Sequence, residues 1–134
     1  MIEPSLRSYL LNSSPADPSA EAIVARIEDR IYREVLPQNA VLPALTYTRV
    51  SSTHDELLDG GSNISFGYFQ ISCWALDPDA ATELAALVRT RLQGLGGLNF
   101  EKAGIEDERS DYEPETQLYR QDVDCRIAYA ESVP

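Results

Sequence analysis

Two stretches in which polar and apolar residues alternate, 64–75 and 118–131, constrain the fold of this chain more than any other feature. Successive side chains of a β-strand point to opposite faces, so a period of two marks a strand with one buried side. In the first stretch Phe69, Ile71, Cys73 and Ala75 form the core set, and Gln70, Ser72 and Trp74 lie between them. In the second the core set is Tyr119, Val123, Cys125, Ile127 and Tyr129, and Arg120, Asp122, Asp124 and Arg126 form a polar face. Burial of one face only is the habit of antiparallel sheets, and something else must cover that face.

Helical patterns supply the cover. Leu6, Tyr9 and Leu10 recur at helical spacing before Ser13-Ser14-Pro15, and Asp17-Pro18-Ser19 reopens a helix with Ala22, Ile23, Val24 and Ile27 on its apolar side, ending near Asp29. Asp77-Pro78 opens a longer one, Asp77 as N-cap, with Ala81, Leu84, Ala85, Val88, Leu92 and Leu95 inward, closed by the glycines of 94–97. Ile31, Tyr32, Val35 and Leu36 before Pro37 read as a short edge strand. Residues 44–51 read as a strand leading into a polar hairpin tip, 52–63, which carries His54, Asp55, Glu56 and Asp59. A short strand at 100–105 precedes an acidic loop, 106–115. The class is α+β: an antiparallel sheet with helices packed on one face, in a single domain spanning 1–134.

At 134 residues a lone domain buries only about two-thirds of the surface its unfolded chain exposes, so a subunit interface is an expected source of added stability. The net charge of −11 repels a phosphate backbone and disfavours sequence-specific nucleic-acid binding. No basic segment followed by an apolar one opens the sequence, and no apolar run reaches 18 residues, so neither secretion nor membrane spanning has support.

Catalytic chemistry finds few candidates. His54 is the one histidine and sits on a polar hairpin without a nucleophile elbow nearby; Gly94, Gly96 and Gly97 follow a helix and lack the GK[ST] of a phosphate loop. Cys73 and Cys125 lack metal or redox spacing and read as buried free thiols. The acidic stretch Glu106, Asp107, Glu108, Asp111, Glu113 and Glu115 offers hard oxygen ligands, yet its spacing does not match a calcium loop; it reads as a solvated loop, a cation site, or a contact for a partner's basic surface. No catalytic residue, cofactor or metal is expected. Phe66, Tyr68 and Trp74 share the outer face of the 64–75 strand, which means a second small core or, as the better account of so many aromatics, a subunit interface.

Several phrases then occur in order: Asp29-Arg30-Ile31-Tyr32, Leu36-Pro37-Gln38, Leu42-Pro43-Ala44-Leu45 with Tyr47 and Arg49, Leu58-Asp59-Gly60, Cys73-Trp74-Ala75, and Glu106-Asp107-Glu108-Arg109 through Asp111-Tyr112-Glu113-Pro114-Glu115-Thr116 to Leu118-Tyr119-Arg120. Together they resemble the tail-completion, or tail-to-head joining, proteins of long-tailed bacteriophages. One departure is Ile27-Glu28, where members of that family often end the helix with glycine. The resemblance implies a non-catalytic α+β virion protein at the head-proximal end of the tail, assembled in the host cytoplasm. It forms a ring, typically sixfold, that caps the tail tube and meets the head connector, and DNA crosses it without specific binding. On that reading Phe66, Tyr68 and Trp74 meet neighbouring subunits. His54, Asp55, Glu56, Asp59, Glu106, Asp107, Glu108, Asp111, Tyr112 and Glu113 meet tube or connector proteins. The rivals are a carboxylate-dependent divalent-metal enzyme, such as a nuclease, and a small acidic adaptor that mimics DNA.

Overall fold

In a computed structural model, residues 7, 9–10, 18–55, 64–93 and 100–130 are described. In chain order the elements are α1 (Pro18–Ile27), β1 (Ile31–Arg33), β2 (Ala44–Asp55), β3 (Ile64–Ala75), α2 (Pro78–Gln93), β4 (Phe100–Glu113) and β5 (Leu118–Ala130). The strands form one sheet in the order β1-β2-β3-β5-β4. Every neighbouring pair is antiparallel except β1 with β2, which run parallel, so the sheet is mixed at that edge.

The alternation read from 64–75 and 118–131 sets the register at the centre of this sheet. Phe69 lies opposite Cys125 and Ile71 opposite Val123, and all four are buried on the inner face. Leu45 and Tyr47 from β2 and Ile31 from β1 extend that apolar surface sideways. Helix α2 packs across β3, β5 and β4, and α1 packs on α2. The predicted stripe Ala81, Leu84, Ala85, Val88 and Leu92 is buried, and Leu95 lies outside the described residues. In α1 the buried side is Ala20, Ile23 and Ile27, with Ala22 and Val24 half-buried, one step round the helix from the stripe expected.

Local chemistry sets the helix ends. The Asp79 amide donates to Asp77 Oδ1 at 3.3 Å, and Pro78 takes the first turn, where a missing N–H is harmless. At the close of α1, Glu28 adopts φ 56° and its amide donates to Val24 O at 2.8 Å. That is the left-handed cap conformation glycine adopts most readily, so the helix ends as glycine would end it. Arg30 then ties the turn together: Nη2 donates to Arg26 O at 3.0 Å and Nε to Pro43 O at 3.1 Å. The Leu42–Pro43 peptide is cis. Two of the recurring phrases, at Asp29–Tyr32 and Leu42–Leu45, therefore meet in space.

A second tie holds the N-terminal segment. Tyr9 Oη donates to Arg91 O at 2.9 Å, while Arg91 donates from Nη2 to Tyr9 O at 2.8 Å and its guanidinium covers the Tyr9 ring at 3.8 Å. Buried polar groups need such partners to be tolerated, and here each residue supplies the other's.

Two expectations need correction. The hairpin tip is shorter than 52–63, because β2 runs on to Asp55 and β3 starts at Ile64; His54 and Asp55 pair with Ser65 and Ile64 as strand backbone. Glu56 and Asp59 fall outside the described residues. The acidic loop is not a loop either. Residues 100–113 form one continuous edge strand, and the turn is confined to 114–117, where Gln117 takes φ 58° and its amide donates to Glu113 O at 2.7 Å.

Candidate functional site

The helices cover one face of the sheet; the other face carries no helix among the described residues. Register decides what that outer face displays. From β3 come Phe66, Tyr68, Gln70, Ser72 and Trp74, from β5 Arg120, Asp122, Asp124 and Arg126, and from β4 Asp107, Arg109, Asp111 and Glu113.

The acidic β4 holds strand geometry because arginines reach its carboxylates. Asp and Glu are poor strand formers, and like charges directly opposite destabilise a pair. Asp107 lies opposite Asp124, and Arg109 bridges both. Hydrogen bonds to Asp124, then to Asp107, push the Arg109 guanidinium above its ordinary range. Arg120 binds Asp111 at 2.7 Å and Glu113 at 3.2 Å, and its Nε lies 3.1 Å from Asp122. Asp122 is buried and also accepts a hydrogen bond of 2.7 Å from Ser72 Oγ. On the inner side Arg89 of α2 reaches Glu108 at 2.9 Å. Tyr112 also faces inward, beyond the helices, with its ring centroid 4.8 Å from that of Tyr119. Charges along an edge strand also discourage pairing with a stray strand.

The aromatics are less of a single patch than their shared face implies. Eight residues at about 3.4 Å each place Phe66 and Trp74 roughly 27 Å apart. Arg126 covers the Phe66 ring at 4.9 Å. Trp74 donates from Nε1 to Thr46 Oγ1 at 3.0 Å, and Arg120 stands over its ring at 5.4 Å. All three aromatics are half-buried.

Between them the face is concave. Register shifts between Arg49 and Ser51 in β2, and between Ile105 and Asp107 in β4, leave Val50 and Glu106 as extra residues. Such bulges bend and twist a strand. Both border a hollow of about 450 Å³ whose walls include Tyr68, Gln70, Arg109 and Asp124. Val50 is 65% exposed. Val50 had no place in the sequence reading; its signal was a slip in the alternating phase, visible only once the partner strand is known.

Asp107, Glu108, Asp111 and Glu113 spread along both faces of β4 and meet arginines. Among the described residues no three His, Cys, Asp or Glu side chains come together as a metal set. Cys73 and Cys125 are free and buried, four positions out of register on adjacent strands. Burial pushes both thiols up, with Asp122 and Glu108 adding at Cys73, and Asp124 and Glu106 adding at Cys125, which reaches about 12. They are poor nucleophiles.

A family model for "Tail completion protein gp17" matches residues 10–130. The chain belongs to that family. The match runs from Leu10, which follows the Tyr9 that latches onto α2, to the last residue of β5. No curated protein matches the chain. Among solved structures it is similar to a chain of the "Virion of native gene transfer agent (GTA) particle", with a TM-score of 0.62 and 14% identity over 94% of this chain and 95% of that one. At that identity the likeness shows the fold. Family membership makes the tail-completion chain a structural tail protein of a phage-type particle.

Proposed function

We propose that the chain forms a ring of identical subunits, six in number, at the head-proximal end of the tail, where it caps the tail tube and joins it to the head connector. The observation that carries this reading is the sheet face of a tail-completion chain that no helix covers among the described residues, half-buried aromatics at both ends and a hollow between them. A face of that kind is completed by a neighbour more readily than by water.

In this reading Phe66, Tyr68 and Trp74 belong to contacts between subunits. The β2–β3 hairpin with His54, Asp55, Glu56 and Asp59 reaches the tube or the connector. So does the β4–β5 hairpin with Glu106, Asp107, Glu108, Asp111, Tyr112 and Glu113. The net charge of −11 suits an opening that DNA crosses without being held. No catalytic step is assigned.

Tyr68→Glu tests the interface. The position is half-exposed on the outer face, so the subunit folds, while a carboxylate in an apolar contact opposes assembly. In cells making particles with this variant, filled heads and tails accumulate unjoined. Normal joining by both Tyr68→Glu and Trp74→Ala would overturn the assignment of this face.

A further inference from the structure

At the end of the sheet where β3 leaves for α2, the segment after β1 and the turn between β4 and β5 stand on either side of a groove of about 810 Å³. Its floor and apolar wall are Leu36, Pro37, Leu42, Trp74 and Leu118. Val35 on its lip is 71% exposed, and Val41, between the lining residues Ala40 and Leu42 in sequence, is 64% exposed. Among the described residues the charged ones that line it are Glu34 and Glu113, Glu113 already held by Arg120 at 3.2 Å, so Glu34 is the carboxylate left to a partner. An exposed apolar trough with an acidic rim marks a binding surface, and its charge selects what binds.

A second copy of this chain is a poor occupant. Of its 11 cationic residues ten are arginines, and all ten are engaged within the subunit. Arg7 and Arg30 hold backbone carbonyls, Arg26, Arg89, Arg109 and Arg120 hold carboxylates, and Arg126 covers Phe66. Arg33, Arg49 and Arg91 have partners of their own. Arg120 already serves Glu113, and no arginine is left over to complement Glu34 of a second copy.

We infer that the groove receives an extended segment of a different protein of the particle, one that places an aliphatic or aromatic side chain over Trp74 and Leu118 and a lysine or arginine beside Glu34. This rests on the proposed ring only for where the partner comes from; the chemistry of the segment follows from the groove. Trp74 thereby faces two ways, toward a neighbouring subunit on the sheet face and toward the partner segment at the sheet end.

The test is selection of random dodecapeptides on the immobilised chain, with Val35→Asp and Glu34→Arg as controls. Both positions are exposed and lie outside the core, so both variants keep the wild-type circular dichroism. The enriched peptides carry a basic residue next to an apolar one. They bind each variant at least tenfold more weakly, and the Glu34→Arg loss shrinks as salt rises. Peptides without basic residues, or equal binding by wild type and Val35→Asp, overturn the inference. Recombinant tail-tube and connector proteins form the second arm. If they bind wild type and Val35→Asp equally, the groove assignment fails and the ring reading stands. If neither binds while the peptides do, the ring reading fails and the groove stands.

Discussion

Gly67 stands in the middle of β3 opposite Ile127, buried on the inner face. A Cβ added there would lie 2.6 Å from Phe69 Cε2 and 3.4 Å from Cζ. Carbon atoms in good contact sit about 3.5–4.0 Å apart, so the methyl overlaps the ring edge by roughly 1 Å. Phe69 is 1% exposed and cannot swing into solvent to make room. Overpacking of this kind costs about 1–3 kcal/mol, offset by roughly 0.5–1 kcal/mol because alanine loses less backbone freedom than glycine on folding. Gly67→Ala should therefore destabilise the subunit by about 1–2 kcal/mol. With a urea slope near 2 kcal/mol/M, the midpoint falls by roughly 0.5–1 M. Phe69→Leu alone opens a gap, so the double variant Gly67→Ala/Phe69→Leu should be more stable than the sum of the two single losses predicts. A Gly67→Ala midpoint equal to or above wild type would refute the packing of the Phe69 ring over Gly67, and with it the assignment of Gly67 to the core side of β3.

Glu28→Gly should stabilise the chain by about 0.5–1 kcal/mol, since φ 56° strains a side chain and the lost contact with Arg30 is an exposed ion pair; a lower Tm in calorimetry counts against it. Asp122→Asn keeps an acceptor for Ser72 and removes the charge facing Arg120, which retains Asp111 and Glu113, so the loss is about 1–2 kcal/mol by urea denaturation; an unchanged midpoint would show the buried carboxylate to be dispensable. The thiols set an alkaline limit. Cys125 has its pKa raised in the fold from 9.0 to about 12, so its protonated form contributes stability fully below pH 9, and that contribution is lost between pH 9 and 12 as the unfolded chain ionises first. The slope approaches roughly 1.4 kcal/mol per pH unit for each thiol, and both thiols resist a disulfide reagent at pH 8 until urea unfolds the chain; fast labelling of the native protein would contradict their burial.

What was legible in the sequence had a strong period. Phe69, Ile71, Cys73 and Ala75 of β3, Val123, Cys125 and Ile127 of β5 and the stripe from Ala81 to Leu92 in α2 lie buried where their spacing put them, because one buried face per element leaves a clean pattern; Tyr119, expected with them, is only half-buried. The acidic strand β4 was illegible for a physical reason: the partners that make strand geometry acceptable, Arg89, Arg109 and Arg120, come from α2, β4 itself and β5, and two of these are distant in the sequence. Local propensity favoured a loop, and tertiary pairing overrode it. The parallel seat of β1 beside β2 depends on Ile31 lying opposite Leu45, a match that three residues cannot advertise. Glu28 was a visible departure from glycine, yet the backbone there takes the conformation glycine prefers. On the outer face, the shared side of Phe66, Tyr68 and Trp74 was readable, whereas the concavity between them arises from bulges at Val50 and Glu106.

On the proposed reading, a ring of this chain sits between tail tube and connector. Electron microscopy of intact particles carrying a gold-labelled tag on the C-terminus of the chain tests it directly. Label is expected at the junction of head and tail on joined particles, and at one end only of tails isolated without heads. Label along the whole tube, at the tip that meets the host, or absent from particles that join normally would contradict it.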